Sequence, residues 1–255
     1  MRIPIPSNRQ SFVLEVTIQA TSDCLLGLLL SDHRHDYSHY FRRKVSLLKA
    51  EKRTIEIRMP VSPANGILDI YNKQTGDSRG FKLLNLAVKP LPLPAVWQSP
   101  ERKRFARFAI DFAQKAGYLK AGFYDSPGHE FLIQYLPQIT DQWGRKLPTP
   151  ARINRQFPRI QVSAAQFRGF TIPVRIFILF HEGCHYFLNT RSQTKADLCG
   201  LRQYLDLGFP RIEAIYATTQ VFNESDRQVS ASTVQRTKDI IDFIRNYQVS
   251  KKQAA

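Results

Sequence analysis

The chain is poor in several residue types, and each shortage narrows the reading. It has 3 cysteines in 255 residues, too few and too irregularly placed for a disulfide framework. Free thiols in a reducing compartment are the expectation. Histidine is scarce at 6 residues, and acidic side chains number 21 against 37 Lys and Arg, a formal charge of +16. Such an excess implies an acidic partner: nucleic acid, an anionic surface or an acidic protein neighbour. Long apolar runs are missing. The longest, Leu25 to Leu30 and Ile176 to Phe180, are far too short to cross a bilayer. Met1 to Gln10 carries no apolar segment of the signal-peptide kind. The expected location is the cytoplasm of the producing cell.

What is present is apolar patterning. Hydrophobic residues make up 43% of the chain, enough for packed cores, and the length suits one large or two modest domains. Residues 1–92 read as all-β. Phe12, Leu14, Val16 and Ile18 alternate with other residues, and Leu25 to Leu30 is a buried-strand run. Further strands are expected at Tyr40–Leu48, Thr54–Met59, Gly66–Tyr71 and Gly80–Val88, separated by turn-forming segments. About seven short strands at this spacing predict an N-terminal antiparallel β-sandwich. His33, His35 and His39, with Asp32 and Asp36, fall in a polar inter-strand segment and read as a loop.

The alternating prolines of Lys89 to Pro94 predict a stiff extended linker, so residues 93–255 form the second domain. Ser99, Pro100 and Glu101 open a helix as cap, first-turn proline and acid at the positive end. Phe105, Phe108 and Phe112 continue it at helical spacing, and Gly117 can end it. Its basic cluster, Arg102 to Arg104 with Arg107, reads as a solvated helix face. Phe131–Ile139 is an expected strand, residues 140–156 a loop and Phe157–Phe167 a second strand. Helices are expected near residues 193–207, 211–222 and 226–247, with a break at Asn223 to Ser225 and a frayed tail from Lys251. The fold class is therefore α+β.

The strongest chemical signal is His181-Glu182-Gly183-Cys184-His185, an H-E-x-x-H run after the apolar stretch Val174 to Phe180. Residues four apart share one helical face. Two imidazoles there can hold one zinc ion, and the Glu between them can act as general base on water. Pro173 suits a first helical turn. A strand, a turn around Gly169 and the motif helix follow the zincin arrangement, in which an edge strand holds an extended peptide by strand addition.

Zinc in a hydrolytic site takes three protein ligands. After His185 the chain reads Asn189-Thr190-Arg191-Ser192-Gln193-Thr194-Lys195-Ala196-Asp197. This resembles the HExxH…ExxxD pattern of the gluzincin-like membrane CAAX peptidases and their soluble relatives. The resemblance implies a ligand at the Glu position and an Asp that orients a ligand His. Ala196 and Asp197 match, whereas Gln193 stands where the ligand Glu belongs. A Gln amide is a poor zinc ligand, so Asp197 is expected as the third ligand of a His181, His185, Asp197 site. The open alternatives are a weak or metal-free site, and a structural, salt-bridged Asp197. Cys184 and Cys199 are assigned to no metal; Cys184 is expected to pack in the core.

From His181 through Phe222 the chain also resembles HExxH proteins encoded among the virion genes of crAss-like bacteriophages. They carry E-x-E-A-D followed by Y-L-x-L-G-F/Y-P-R; here Tyr204-Leu205-Asp206-Leu207-Gly208-Phe209-Pro210-Arg211 matches, and Gln193 and Lys195 replace both family Glu residues. Two functions follow. One is a zinc-dependent peptidase acting on a peptide or protein substrate, with Glu182 as catalytic base. The other is a virion structural protein among neighbouring subunits, such as a neck, portal-adjacent or tail subunit, keeping a degenerate zincin fold. Contact with nucleic acid rests on the positive charge alone.

Overall fold

A computed structural model describes residues 1–35, 37–91, 99–154, 156–216 and 231–252. The chain is a mixed α+β protein that divides into two compact units. The first comprises Met1–Ala95 with the short segments Thr171–Pro173 and Leu207–Phe209, and the second takes the remainder. Among the described residues no helix is long and apolar enough to cross a membrane.

Seven strands build the first unit: β1 (Arg2–Ile5), β2 (Phe12–Ala20), β3 (Cys24–Asp32), β4 (His39–Leu47), β5 (Lys52–Met59), β6 (Gly66–Asn72) and β7 (Phe81–Pro90). They form two antiparallel sheets, one in the order β1-β6-β3-β4 and one in the order β5-β2-β7. Alternation is the cause. Leu14, Val16 and Ile18 of β2 are fully buried, as are Leu26, Leu28 and Leu30 of β3 and Leu68 and Ile70 of β6. Each sheet thus buries one face. β1 carries too few apolar residues to announce itself by periodicity. The linker starts later than expected, because Lys89 and Pro90 end β7 in register with Val13 and Phe12. Pro90 is tolerated there at the end of an edge strand. The remaining linker residues from Pro92 lie outside those described, as do Asp36 of the histidine-rich turn and the break at Asn223 to Ser225.

The second unit opens with α1 (Pro100–Lys115), capped by Ser99, whose side chain accepts from the Arg102 N–H at 3.2 Å. A cap of this kind contributes about 1 kcal/mol. α1 buries Phe105, Phe108, Ala109 and Phe112. Its basic face is partly neutralised, since Arg104 pairs with Glu130. Four strands follow: β8 (Gly122–Asp125), β9 (Leu132–Leu136), β10 (Ala151–Asn154) and β11 (Arg159–Ser163). Their order is β10-β11-β9-β8, with β11 parallel to β9 and the other pairs antiparallel. Ile133, Tyr135, Ile160 and Val162 are buried on one face.

Two corrections arise here. The strand before the motif helix, β11, lies between β10 and β9 and is no edge. The edges are β8 and β10, the latter inside the stretch expected to be a loop. Four residues bounded by Pro150 are too short to show a period.

The helices are α2 (Ala164–Phe167), α3 (Ile172–Phe187), α4 (Gln193–Asp206), α5 (Arg211–Tyr216) and α6 (Ala231–Lys252). α3 is the motif helix, buried from Val174 through His185. Arg175 is fully buried in it and donates to the carbonyls of Ala113, Phe167 and Arg168. Its cation thus meets the negative ends of α1 and α2.

Candidate metal centre

α3 carries both histidines on one face, one turn apart. Their Nε2 atoms are 3.1 Å from each other. Each ring is held from behind by its other nitrogen. His185 Nδ1 lies 2.8 Å from the Thr190 carbonyl. A carbonyl oxygen can only accept, so this Nδ1 carries the proton. His181 Nδ1 lies 2.8 Å from Asp197 Oδ1, within ion-pair distance of that carboxylate. With both ring protons on Nδ1 the two Nε2 atoms present lone pairs to each other; with one proton on Nε2 they share a hydrogen bond. Two lone pairs at this separation repel unless a cation sits between them. The backing of each ligand nitrogen by an acceptor on the far side of its ring is the arrangement that fixes metal-binding histidines.

Glu182 projects from the same helix and is almost completely buried, at 7% exposure. Burial pushes its carboxyl up, against the attraction of His181 and His185 and a hydrogen bond from the backbone N–H of Ile153 on β10. A carboxyl raised in this way binds a proton more readily than a solvated one.

The structure places Asp197, the expected third ligand, between His181 Nδ1 and Arg236. Its Oδ1 takes His181 Nδ1 and, at 2.9 Å, Arg236 Nη2, while Oδ2 takes Arg236 Nε. Both oxygens are engaged on the Nδ1 side of His181. Nδ1 and Nε2 point away from each other on an imidazole ring, so Asp197 does not face the Nε2 pair. It is fully buried. Burial alone would raise its carboxyl, but the hydrogen bonds and positive charge of His181 and Arg236 outweigh that and hold it below the usual range. Gln193 is exposed at the start of α4. Among the described residues no group of three or more His, Cys, Asp or Glu is arranged to hold a metal ion.

Sequence reasoning missed Arg236, which reaches the site from α6 across 39 positions. It carries no local signature, and only the path of the chain brings it to Asp197.

Close approach of α4 to α3 makes the Asp197 contact feasible. A Cβ at Gly200 would lie 3.0 Å from the His181 backbone nitrogen and 3.2 Å from its Cα. These are backbone atoms and cannot swing aside. Gly200→Ala is therefore expected to push α4 away, cost about 1–3 kcal/mol as overpacking does, and loosen Asp197 from His181. Thermal unfolding and zinc affinity, measured on the same variant, check both effects.

Cys184 and Cys199 form a disulfide between α3 and α4, where free thiols were expected. Cys184 is buried as anticipated, but it faces α4 and not the histidine pair. The pairing escapes sequence reasoning because 15 residues separate the two cysteines and only the crossing beside Gly200 joins them. Gln203 Nε2 lies 3.5 Å from Cys184 Sγ. Reducing this bond is expected to cost about 3 kcal/mol, the scale for a loop of this size. Denaturant curves with and without reductant measure it, and the Cys184→Ser, Cys199→Ser double variant should match the reduced chain.

No known family model matches the chain, and no curated protein sequence matches it.

Proposed function

We propose that the chain is a zinc-dependent, zincin-like metallopeptidase, with a β-sandwich docking domain ahead of the catalytic one. The observation that carries the reading is the two Nε2 atoms 3.1 Å apart on one face of α3, with the Thr190 carbonyl beside one Nδ1 and the Asp197 carboxylate beside the other. His181 and His185 would hold the metal as two of its three protein ligands, and among the described residues no third His, Cys, Asp or Glu is grouped with them. Asp197 would orient His181, Thr190 would orient His185, and Arg236 would hold Asp197 in place. When bound, zinc supplies Lewis-acid polarisation of a peptide carbonyl and lowers the pKa of water. Glu182 would take the proton from the attacking water and return it to the leaving amine. Its burial keeps competing solvent away from that transfer.

The test is cleavage of a denatured protein by the zinc-treated chain. Cleavage that a chelator stops and zinc restores supports the reading. Cleavage indifferent to both contradicts it.

A second reading keeps the fold and drops the chemistry. It rests on Gln193 and Lys195, which stand where the resembling phage proteins have Glu, and on an Asp197 already engaged by Arg236. On this reading the chain is a virion subunit and its positive charge faces DNA or acidic neighbours. A zinc-loaded chain that cleaves no peptide, yet co-purifies with particles of the producing phage, would establish it.

A further inference from the structure

The edge strand β10 and its neighbour β11 each carry an exposed arginine, Arg152 and Arg159. β10 pairs with β11 alone, and on its other side Glu182 meets the Ile153 N–H. Register sets Arg152 opposite Gln161 and Asn154 opposite Arg159. These four side chains share the face opposite buried Ile160 and Val162. Together with Ile153 they line a cavity of about 440 Å³.

The partners of these arginines are neutral. Arg152 Nε donates to Gln161 Oε1 at 2.6 Å, and Nη2 donates to the Thr140 carbonyl at 3.2 Å. Gln161 is fixed in turn by donating to Gln134 Oε1 at 2.8 Å. Two other exposed arginines of this unit do have carboxylates, Arg104 with Glu130 and Arg145 with Asp141, whereas no carboxylate pairs with the exposed Arg107, Arg191 or Arg202 among the described residues. Among the described residues no carboxylate pairs with Arg152 or Arg159. Arg152 is thus held in a set orientation with its charge uncompensated, beside the strand that also contacts Glu182.

We propose that the β10 edge binds an extended acidic peptide, paired strand to strand, with carboxylates two residues apart, one facing Arg152 and one meeting Arg159 of β11 across Asn154. A peptide added to a sheet edge turns every second side chain to the same face. Arginine then meets each carboxylate through paired, charge-assisted hydrogen bonds. Such pairing also offers a peptide carbonyl to the Ile153 N–H, which Glu182 now occupies. Binding would release the Glu182 carboxylate at the moment a substrate arrives. The inference rests on the peptidase reading for its purpose, but its binding claim is read without cleavage.

The experiment is fluorescence polarisation on the full chain, with two labelled peptides of equal length. One carries Glu at alternate positions and the other carries Lys there. The expected result is binding of the Glu peptide at least roughly tenfold tighter, a difference of about 1.4 kcal/mol. The Arg152→Glu, Arg159→Glu double variant should lose that preference, and Arg159→Gln alone should lose part of it. Both substitutions are on exposed positions, and an unchanged melting temperature checks the fold. Equal binding of both peptides, or a preference that survives the double variant, overturns the inference. So does a single-stranded DNA oligomer that binds as tightly and depends on the same arginines. Selective binding with no cleavage keeps this inference and removes the peptidase reading. Cleavage with no charge preference does the reverse.

Discussion

Glu182→Gln is expected to keep its zinc and its fold while hydrolysis falls by about a hundredfold to ten-thousandfold, the range for loss of a general base. Gln fills the same space, and its carbonyl can still accept from the Ile153 N–H that now contacts Glu182. What it cannot do is take a proton. The neighbouring Nε2 pair is untouched, so metal content should match the parent chain. Side-by-side zinc content and peptide cleavage separate the two properties. Cleavage at the parental rate would remove Glu182 from the mechanism. Loss of zinc along with activity would make Glu182 a part of the metal site instead.

Asp197→Ala should lose zinc affinity by about 10- to 100-fold, as happens when the group behind a ligand histidine is removed. It should also destabilise the chain by about 3–5 kcal/mol, because the Arg236 guanidinium, 14% exposed, is left without its carboxylate. Gln193→Ala should change neither, since Gln193 is exposed. The double variant Asp197→Ala, Arg236→Leu separates the causes. It removes the guanidinium that Asp197 balanced and should recover part of the stability, yet His181 stays without its orienting group and zinc affinity should remain low. Recovery of affinity in the double variant would mean that Asp197 acts on the metal only through stability. Zinc lost from Gln193→Ala but kept in Asp197→Ala would reverse the assignment.

Much of the architecture is legible in the sequence where a period has room to repeat. β2 is nine residues of alternation, and its buried set is the one the alternation names. α1 announces itself through Ser99 and Pro100 at one end and a phenylalanine stripe along its length. The motif helix follows from its apolar run and from the His181 and His185 spacing. β1, β8 and β10, at four residues each, are too short for a period. They exist because neighbouring strands offer them hydrogen bonds. At the site, the placement of His181 and His185 on one face of a buried helix was legible, because their relation is local. The place of Asp197 was not, because its partner Arg236 comes from a distant helix and the choice between ligand and orienting carboxylate depends on which ring nitrogen it meets. The Cys184–Cys199 bond was hidden for a similar reason: a helix crossing that needs Gly200 brings the two sulfurs together.

The central claim is that a cation belongs between the two Nε2 atoms, and elemental analysis of tag-free protein purified without chelator tests it most directly. The account predicts about one zinc per chain in the parent protein and none in His181→Ala. No metal in the parent, even after dialysis against zinc, would contradict it; the two rings would then share a proton, and the fold would be a scaffold without a metal centre.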